Sequence, residues 1–301
     1  MTNLSVIIVS YNTAPLTLQC VESLVYALMA SLLKWEVIIV DNASTDDTIA
    51  QLNSYASTNK VPLKIIPNSQ NVGFGAANNI GAAQAVGEYI LLLNSDTIVD
   101  NLHFDELIEI ADSHRNLGVL SVKLNLPDGS MDPACHRGFP TPWRSFSYLS
   151  GLEKLTKDTP YLNTIFGGYH LTSLPLDQMH EIETPSGAFF LMKRVVFQGV
   201  GGFDEQFFMY AEDIDLALRV HKKGYRNWFC PRHSIVHLKG QSGMQNAQDQ
   251  QKKQQTNVQF YQAMLLFYDK HYEDEYPTPI TWLVHTVLER KIASLSNPTS
   301  V

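Results

Sequence analysis

Over roughly the first 125 residues, short continuous apolar runs alternate with segments of helical spacing. The runs are LSVIIVSY (4–11), WEVIIVD (35–41), PLKIIP (62–67) and EYILLLN (88–94). They are rich in β-branched residues and lack polar alternation, the pattern of strands buried on both faces. Between them, APLTLQCVESLVYALM (14–29), STDDTIAQLNSYA (44–56) and FGAANNIGAAQAV (74–86) have helical spacing. Thr13 and Pro15 mark the first helix start, and Ser44 and Asp47 stand as a capping-box-like start of the second. Strand–helix alternation with short connections predicts an α/β fold with a mostly parallel, doubly wound sheet flanked by helices. Ligands bind such sheets at the carboxyl ends of the strands.

Those ends are where the sequence turns polar. The first strand finishes on Ser10, Tyr11 and Asn12, the second on Asp41 and Asn42, the fourth on Asn94, Ser95 and Asp96. Gathered at one edge, they present carboxylates and small hydrogen-bonding groups to one ligand. Asp41 suits a ribose hydroxyl or a base N–H, with helix capping as the competing role. Asp96 suits a hard cation, because carboxylate oxygen is such an ion's preferred donor. The stretch GFGAAN (73–78) resembles a dinucleotide fingerprint but fails as one. Asn78 replaces the third glycine, and the motif follows the third strand.

The formal charge of −8 lacks the basic face of a nucleic-acid binder. A nucleotide can still be bound where a metal ion supplies positive charge. Cys20, Cys135 and Cys230 are too few and too scattered for a disulfide framework or a zinc site. The N-terminus has no basic n-region, and no stretch approaches the ~20 apolar residues of a membrane span. The chain therefore reads as cytoplasmic.

Beyond residue 125 the regularity is lost. LPDGSMD (126–132) predicts a hairpin turn, TPSGAFFLMKR (184–194) a strand, EDIDLALRVHKKG (212–224) a helix and YRNWFC (225–230) a short strand. Residues 140–180 carry no assignable period. The glutamine-rich 240–257 is too polar for core and predicts a loop or lid. Two amphipathic helices, 257–272 and 279–295, close the chain. Glu212 and Asp213 open an acidic helix behind the apolar run FFMY. Asp215 has Arg219 as its i,i+4 partner, which leaves Glu212 or Asp213 as a free general base. His237 precedes the polar loop.

Taken in order, SVIIVSYN (5–12), VIIVDNASTDDT (37–48), NVGFGAANNIG (71–81), LLLNSDTIV (91–99), PSGAFFLMKR (185–194), GGFDEQFFMYAEDIDLALR (201–219) and IVHLKGQS (235–242) resemble family 2 inverting glycosyltransferases of the GT-A fold. The likeness is to the bacterial rhamnosyltransferase-like branch. It implies a glycosyltransferase domain over 1–256 and a helical extension over 257–301. Residues 1–125 would form the nucleotide-binding half and 126–256 the acceptor half. Asn94-Ser95-Asp96 matches the family's Asp-x-Asp metal motif with Asn in the first place. Asp96 and His237 are then ligands of a divalent cation, Mn2+ or Mg2+, and Asp213 is the catalytic base. Ser10, Tyr11, Asn12, Asp41, Asn71, Gly73, Asn94, Ser95 and Asp96 fall on the donor side; Gly187, Ala188 and Glu212 fall on the sugar and acceptor side. The implied donor is a nucleoside-diphosphate sugar, dTDP-rhamnose or a UDP-hexose. The implied acceptor is a glycan, on a lipid carrier in surface-polysaccharide synthesis.

Three other readings compete. A non-catalytic nucleotide-sugar or glycan-binding protein on the same fold fits the Asn94 departure. A sugar nucleotidyltransferase lacks its Gly-rich basic loop, since residues 1–15 contain neither Gly nor Lys. A dinucleotide oxidoreductase lacks its fingerprint. The last helix either packs on the domain or a second subunit, or lies on the membrane face with Arg290 and Lys291 at the headgroups.

Overall fold

A computed structural model describes residues 2–100, 102–239 and 250–296. The alternating half folds as β1 (Leu4–Ser10), α1 (Ala14–Met29), β2 (Trp35–Asp41), α2 (Thr48–Asn59), β3 (Leu63–Pro67), α3 (Phe74–Ala83) and β4 (Tyr89–Asn94). Then follow β5 (Thr97–Ile98), α4 (Phe104–Ser113) and β6 (Leu117–Asn125). Three short helices, α5 (Pro142–Leu149), α6 (Leu152–Thr156) and α7 (Pro160–Phe166), occupy the stretch without a period. The remainder is β7 (His180–Ile182), β8 (Phe189–Lys193), α8 (Arg194–Gly199), α9 (Glu212–Lys222), β9 (Arg226–His237), α10 (Gln250–His271) and α11 (Thr278–Ser296).

One sheet runs in the order β3-β2-β1-β4-β8-β6-β9-β5, with β7 on β9. The first four strands are mutually parallel, β8 enters antiparallel between β4 and β6, and β9 lies parallel to β6. Every residue of β1 is buried, as its unbroken apolar run requires. Helix α3 approaches the sheet closely through small residues: a Cβ on Gly81 would stand 2.5 Å from the Ile7 side chain.

Several expectations need correction. Residues 44–47 do not open a helix; α2 starts at Thr48, and no side chain caps it at Asp47. Ser44 instead accepts the Asn12 amide at 3.0 Å, and Asp46 accepts the Ala14 amide at 2.9 Å, so this segment holds the β1 loop. Thr13 occupies the first cap position, but its hydroxyl pairs with Ser10 and Thr17 rather than a backbone amide. The strand predicted at 184 begins only at Phe189. The strand predicted to end at 230 continues to His237, because the register slips between Val122 and Lys123 and takes up Pro231 in the irregularity. Of the expected lid, 240–249 lies outside the described residues. Residues 250–257 are helical, as Gln and Lys readily allow, and begin α10.

Helix α10 buries Ala263, Phe267 and Tyr268, and Tyr272 just past its end joins them, in the core cluster that holds Leu216, Ala217 and Val220 of α9. Helix α11 packs on α10, with the Tyr268 and Thr281 hydroxyls 3.0 Å apart, but buries only Leu288 of its apolar stripe. Among the described residues no helix is long and apolar enough to cross a membrane.

Candidate active site

The carboxyl ends of β1, β2 and β4 open into a cleft. Tyr11, Asn71, Gly73, Asn94, Ser95 and Asp96 line it, together with Val9, Thr13, Asn42, Phe74 and Met209, which the sequence reading did not assign to a site. Gly73 is fixed by geometry: its φ is +90°, and a Cβ there would stand 2.6 Å from the Phe208 carbonyl oxygen. That close approach lets the Phe74 amide donate to the same oxygen at 2.9 Å, tying α3 to the 207–210 segment. Asn42 clamps the loop before it, donating to Asn71 Oδ1 at 2.8 Å and accepting the Val72 amide at 3.1 Å.

Ser10, Asn12 and Asp41 are not among the lining residues. The Ser10 hydroxyl is 2.8 Å from that of Thr17 and anchors α1. Asn12, at φ +53°, accepts the Thr45 amide at 2.7 Å and so joins the first two strand-end loops. Asp41 Oδ1 accepts the Ser44 amide at 2.9 Å, whereas its Oδ2 is buried with no partner among the described residues. Asn94 Oδ1, on the cleft wall, is likewise buried and unpartnered. A buried acceptor left unsatisfied costs about 1–3 kcal/mol and is a natural receptor for a ligand N–H, O–H or cation.

Asp96 and His237, 141 positions apart, are brought together by the short β5–β9 ladder. Thr97 pairs with His237, and the Leu238 amide donates to the Asp96 carbonyl at 2.8 Å. His237 Nε2 lies 3.4 Å from Asp96 Oδ1. Its Nδ1 donates to Asp132 Oδ2 at 3.0 Å, which turns Nε2 toward Asp96. Asp132 is fully buried and also accepts from Lys239 Nζ at 2.8 Å and the Ala134 amide at 3.0 Å. Burial alone would raise the Asp132 carboxyl, but the His237 and Lys239 hydrogen bonds hold it far below the usual carboxylate range. Burial alone would lower His237, but its bonds to Asp132 and Asp96 push it up to about 9. Asp132 appeared in the sequence only as the end of a hairpin. That turn is present, with the Leu126 amide bonded to the Ser130 carbonyl at 2.7 Å.

The donor set fits a hard divalent cation. Two ligands in adjacent positions on one ion, with bonds of about 2.1 Å, stand roughly 3.0–3.4 Å apart. Among the described residues no third His, Cys, Asp or Glu completes a metal cluster. Mg2+-like sites that hold phosphates ordinarily take one or two protein ligands and draw the rest from phosphate and water.

Asp213 and Glu212 open α9, and the two residues before them, Tyr210 and Ala211, both have positive φ (72° and 62°). Each left-handed non-glycine residue costs roughly 1–2 kcal/mol, so the turn is maintained by its surroundings. The first turn of α9 then aims its carboxylates differently. Glu212 is buried, its Oε2 has no partner among the described residues, and burial with the neighbouring Asp213 charge pushes its carboxyl up to about 8. Asp213 Oδ2 accepts from the Gly187 amide at 3.1 Å and from Arg137 Nη2 at 3.2 Å, and Oδ1 accepts from the Ile214 amide at 2.8 Å. Asp215 is spent on structure, as its spacing predicted, bonding Arg219 Nε at 2.8 Å and His271 Nε2 at 2.7 Å.

Gly187 and Ala188 connect the two regions. The Gly187 amide holds Asp213, and the Ala188 carbonyl accepts the Asn94 amide at 3.2 Å. One dipeptide therefore spans from the cleft wall to the acid of α9. Arg137 escaped the sequence reading because it lies 76 positions from Asp213 in a stretch without a period.

A family model described as "Glycosyl transferase family 2" matches residues 5–201. The chain is 28% identical over 255 residues to the N-acetylglucosaminyl-diphospho-decaprenol L-rhamnosyltransferase of Mycobacterium tuberculosis H37Rv, covering 79% of this chain and 77% of that protein. It is 28% identical over 203 residues to the O-antigen chain rhamnosyltransferase WbaN of Salmonella anatum, covering 67% of this chain and 56% of that protein. The mannosyltransferase PcManGT of Pyrobaculum calidifontis, solved with GDP-Man and Mn2+, matches the fold with a TM-score of 0.56 at 19% identity, over 98% of this chain and 73% of that one.

Proposed function

The chain belongs to glycosyl transferase family 2, and from that premise we propose that it is an inverting glycosyltransferase of bacterial surface-polysaccharide synthesis. Its donor is a nucleoside-diphosphate sugar, with dTDP-rhamnose ahead of the UDP-hexoses. Its acceptor is a sugar hydroxyl on a lipid-linked glycan. The names of the M. tuberculosis and S. anatum relatives support the rhamnosyl donor, and the first supports the diphospho-lipid acceptor. The observation that carries the reading is the Gly187–Ala188 step, which puts Asp213 one dipeptide from the donor cleft.

In this reading Asn42, Asn71 and Gly73 shape the donor loop, and the unpartnered oxygens of Asp41 and Asn94 receive donor hydroxyl or N–H groups. Asp96 and His237 hold Mn2+ or Mg2+, which when bound supplies Lewis-acid charge to the diphosphate. Asp213 takes the proton of the acceptor hydroxyl as that oxygen attacks the anomeric carbon from the face opposite the diphosphate. The new C–O bond forms, the bond to diphosphate breaks, and the anomeric configuration inverts. Arg137 and the Gly187 amide fix Oδ2, so the carboxylate meets the hydroxyl in one orientation.

The test is release of nucleoside diphosphate from dTDP-rhamnose, UDP-glucose and UDP-galactose, with acceptor extract and with Mn2+, Mg2+ or EDTA. Asp213→Asn should lower kcat by about 10²–10⁴-fold while donor affinity measured by calorimetry stays within about twofold. The Asn94 departure favours a second reading, a nucleotide-sugar-binding protein without turnover. Donor binding with no release from any donor would replace the first reading with the second, and release by Asp213→Asn equal to the parent's would remove Asp213 as the base.

A further inference from the structure

The lobe of α5, α6 and α7 is built inside out. The side chains its helices bury are Ser147, Glu153, Thr156 and Asn163, all polar. They are satisfied within the lobe: Glu153 accepts the His170 amide and Nδ1, both at 2.8 Å, and Asn163 accepts the Thr172 hydroxyl. Its apolar side chains face outward. Trp143, Phe146 and Leu149 follow at three-residue intervals along α5, Tyr161, Leu162 and Ile165 lie on α7, and all six are between 38% and 76% exposed. The two sets meet through Trp143, whose ring is 5.9 Å from Phe146 and 5.4 Å from Phe166, and whose Nε1 donates to the Ile165 carbonyl at 2.9 Å. A contiguous aromatic face of this kind is what a freely soluble surface avoids.

We propose that this face docks the protein on the surface of a lipid bilayer carrying anionic headgroups. Three observations choose the occupant. Aromatic rings mixed with aliphatic side chains suit the boundary between headgroups and acyl chains. Lys154 and Lys157 stand exposed on the same lobe, and among the described residues neither has an ion-pair partner. They complement anionic lipid, whereas a second copy of this chain would bring the same two lysines with Asp158 as the one exposed acid beside them, since Glu153 is buried on His170. The lobe is also closed at its neck by the Gly138 amide bonded to the Tyr169 carbonyl at 2.9 Å, next to Arg137, which grips Asp213. Docking through the lobe therefore turns the acceptor side of the site toward the membrane. Docking itself does not rest on the transferase reading; only the acceptor's orientation does.

The test is flotation of the full chain with vesicles of phosphatidylcholine plus phosphatidylglycerol, and with phosphatidylcholine alone. The parent should float with the mixed vesicles. Phe146→Asp combined with Leu149→Asp should lower partitioning tenfold or more. Lys154→Gln and Lys157→Gln should each lower it about fivefold on mixed vesicles and leave phosphatidylcholine binding unchanged. Trp282→Ser, on α11, should float as the parent does. All variants change exposed side chains, so their melting temperatures and their nucleoside-diphosphate release with a soluble acceptor should match the parent's. A parent that stays in the dense fraction overturns the proposal, as does a Phe146/Leu149 variant that floats as well as the parent. A parent dimer in light scattering that these two substitutions dissolve would assign the face to a second copy instead. Absence of release from every donor, with flotation intact, would remove the transferase reading and leave the docking surface standing.

Discussion

Replacing Asp132 by Asn tests how the proposed cation site is built, through a residue outside its two proposed ligands. The carboxylate has two distinct sides: Oδ1 accepts from Lys239 and the Ala134 amide, and Oδ2 accepts from His237 Nδ1. An Asn of the same shape keeps Oδ1 for the first two donors. Its amide NH2 then faces His237 Nδ1, which must become an acceptor. In the neutral imidazole that ligation requires, the single ring proton then sits on Nε2, the nitrogen 3.4 Å from Asp96 Oδ1, and blocks it as a ligand. Restoring the ligating tautomer sacrifices a charge-assisted hydrogen bond of about 1.5–3 kcal/mol. Mn2+ affinity, read by calorimetry in the presence of dTDP or UDP, should therefore fall about 10–100-fold, or roughly 1.4–2.7 kcal/mol. Lys239→Met takes one hydrogen bond from the buried Asp132 carboxylate but leaves the tautomer alone, and should lower affinity less than Asp132→Asn does. Circular dichroism and thermal melting establish that both variants fold. An Asp132→Asn protein that is folded and binds Mn2+ within twofold of the parent refutes the reasoning.

Gly73→Ala places a Cβ 2.6 Å from the Phe208 carbonyl at a φ of +90°. The combined strain and overpacking should cost about 2–4 kcal/mol and weaken donor binding, whereas Gly199→Ala, with open space around it, should melt within a degree or so of the parent. A Gly73→Ala protein with parental melting and donor affinity would contradict that account. His136 is pushed down to about 4 by burial, and its Nδ1 donates to the His170 carbonyl at 3.0 Å. Its folded pKa is thus below its unfolded value, so the unfolded chain binds the proton more readily and stability falls as pH drops below about 6.5. Urea unfolding should show a loss of about 2 kcal/mol between pH 7 and pH 5, and His136→Gln should remove that share of the slope; an identical slope in both proteins would place its origin elsewhere.

The strands β1 to β4 were readable because each is a continuous apolar run between turn residues, and burial on both faces demands that pattern. The donor-side groups followed, since the strand ends are fixed by topology. The approach of His237 to Asp96 was readable only by resemblance. Its cause is the β5–β9 ladder, in which β5 is two residues long and β9 is interrupted at Pro231, so neither has a usable period. Asp132 and Arg137 were hidden for a related reason: each acts on a partner 76 or more positions away from a segment held by side-chain bonds rather than by repeating structure. The α5–α7 lobe defeated periodicity because its polar side chains are inside and its apolar ones outside. A rule that assumes water on the polar face misreads it. The first turns of α10 show the opposite error, where a polar run was taken for a loop although its residues are good helix formers.

The interleaving of β8 between β4 and β6 has an evolutionary side. A strand from late in the chain completes the middle of a sheet begun early, so the chain offers no cut near residue 125 that leaves two self-sufficient pieces. Acceptor preference in such a scaffold cannot be exchanged by trading halves. The neck at Gly138 and Tyr169 is a different matter, because one backbone bond closes it and the helices beyond it contribute no strand. Under the proposed function, replacing the excursion between those two residues is a route by which acceptor choice can change while the proposed donor side stays untouched.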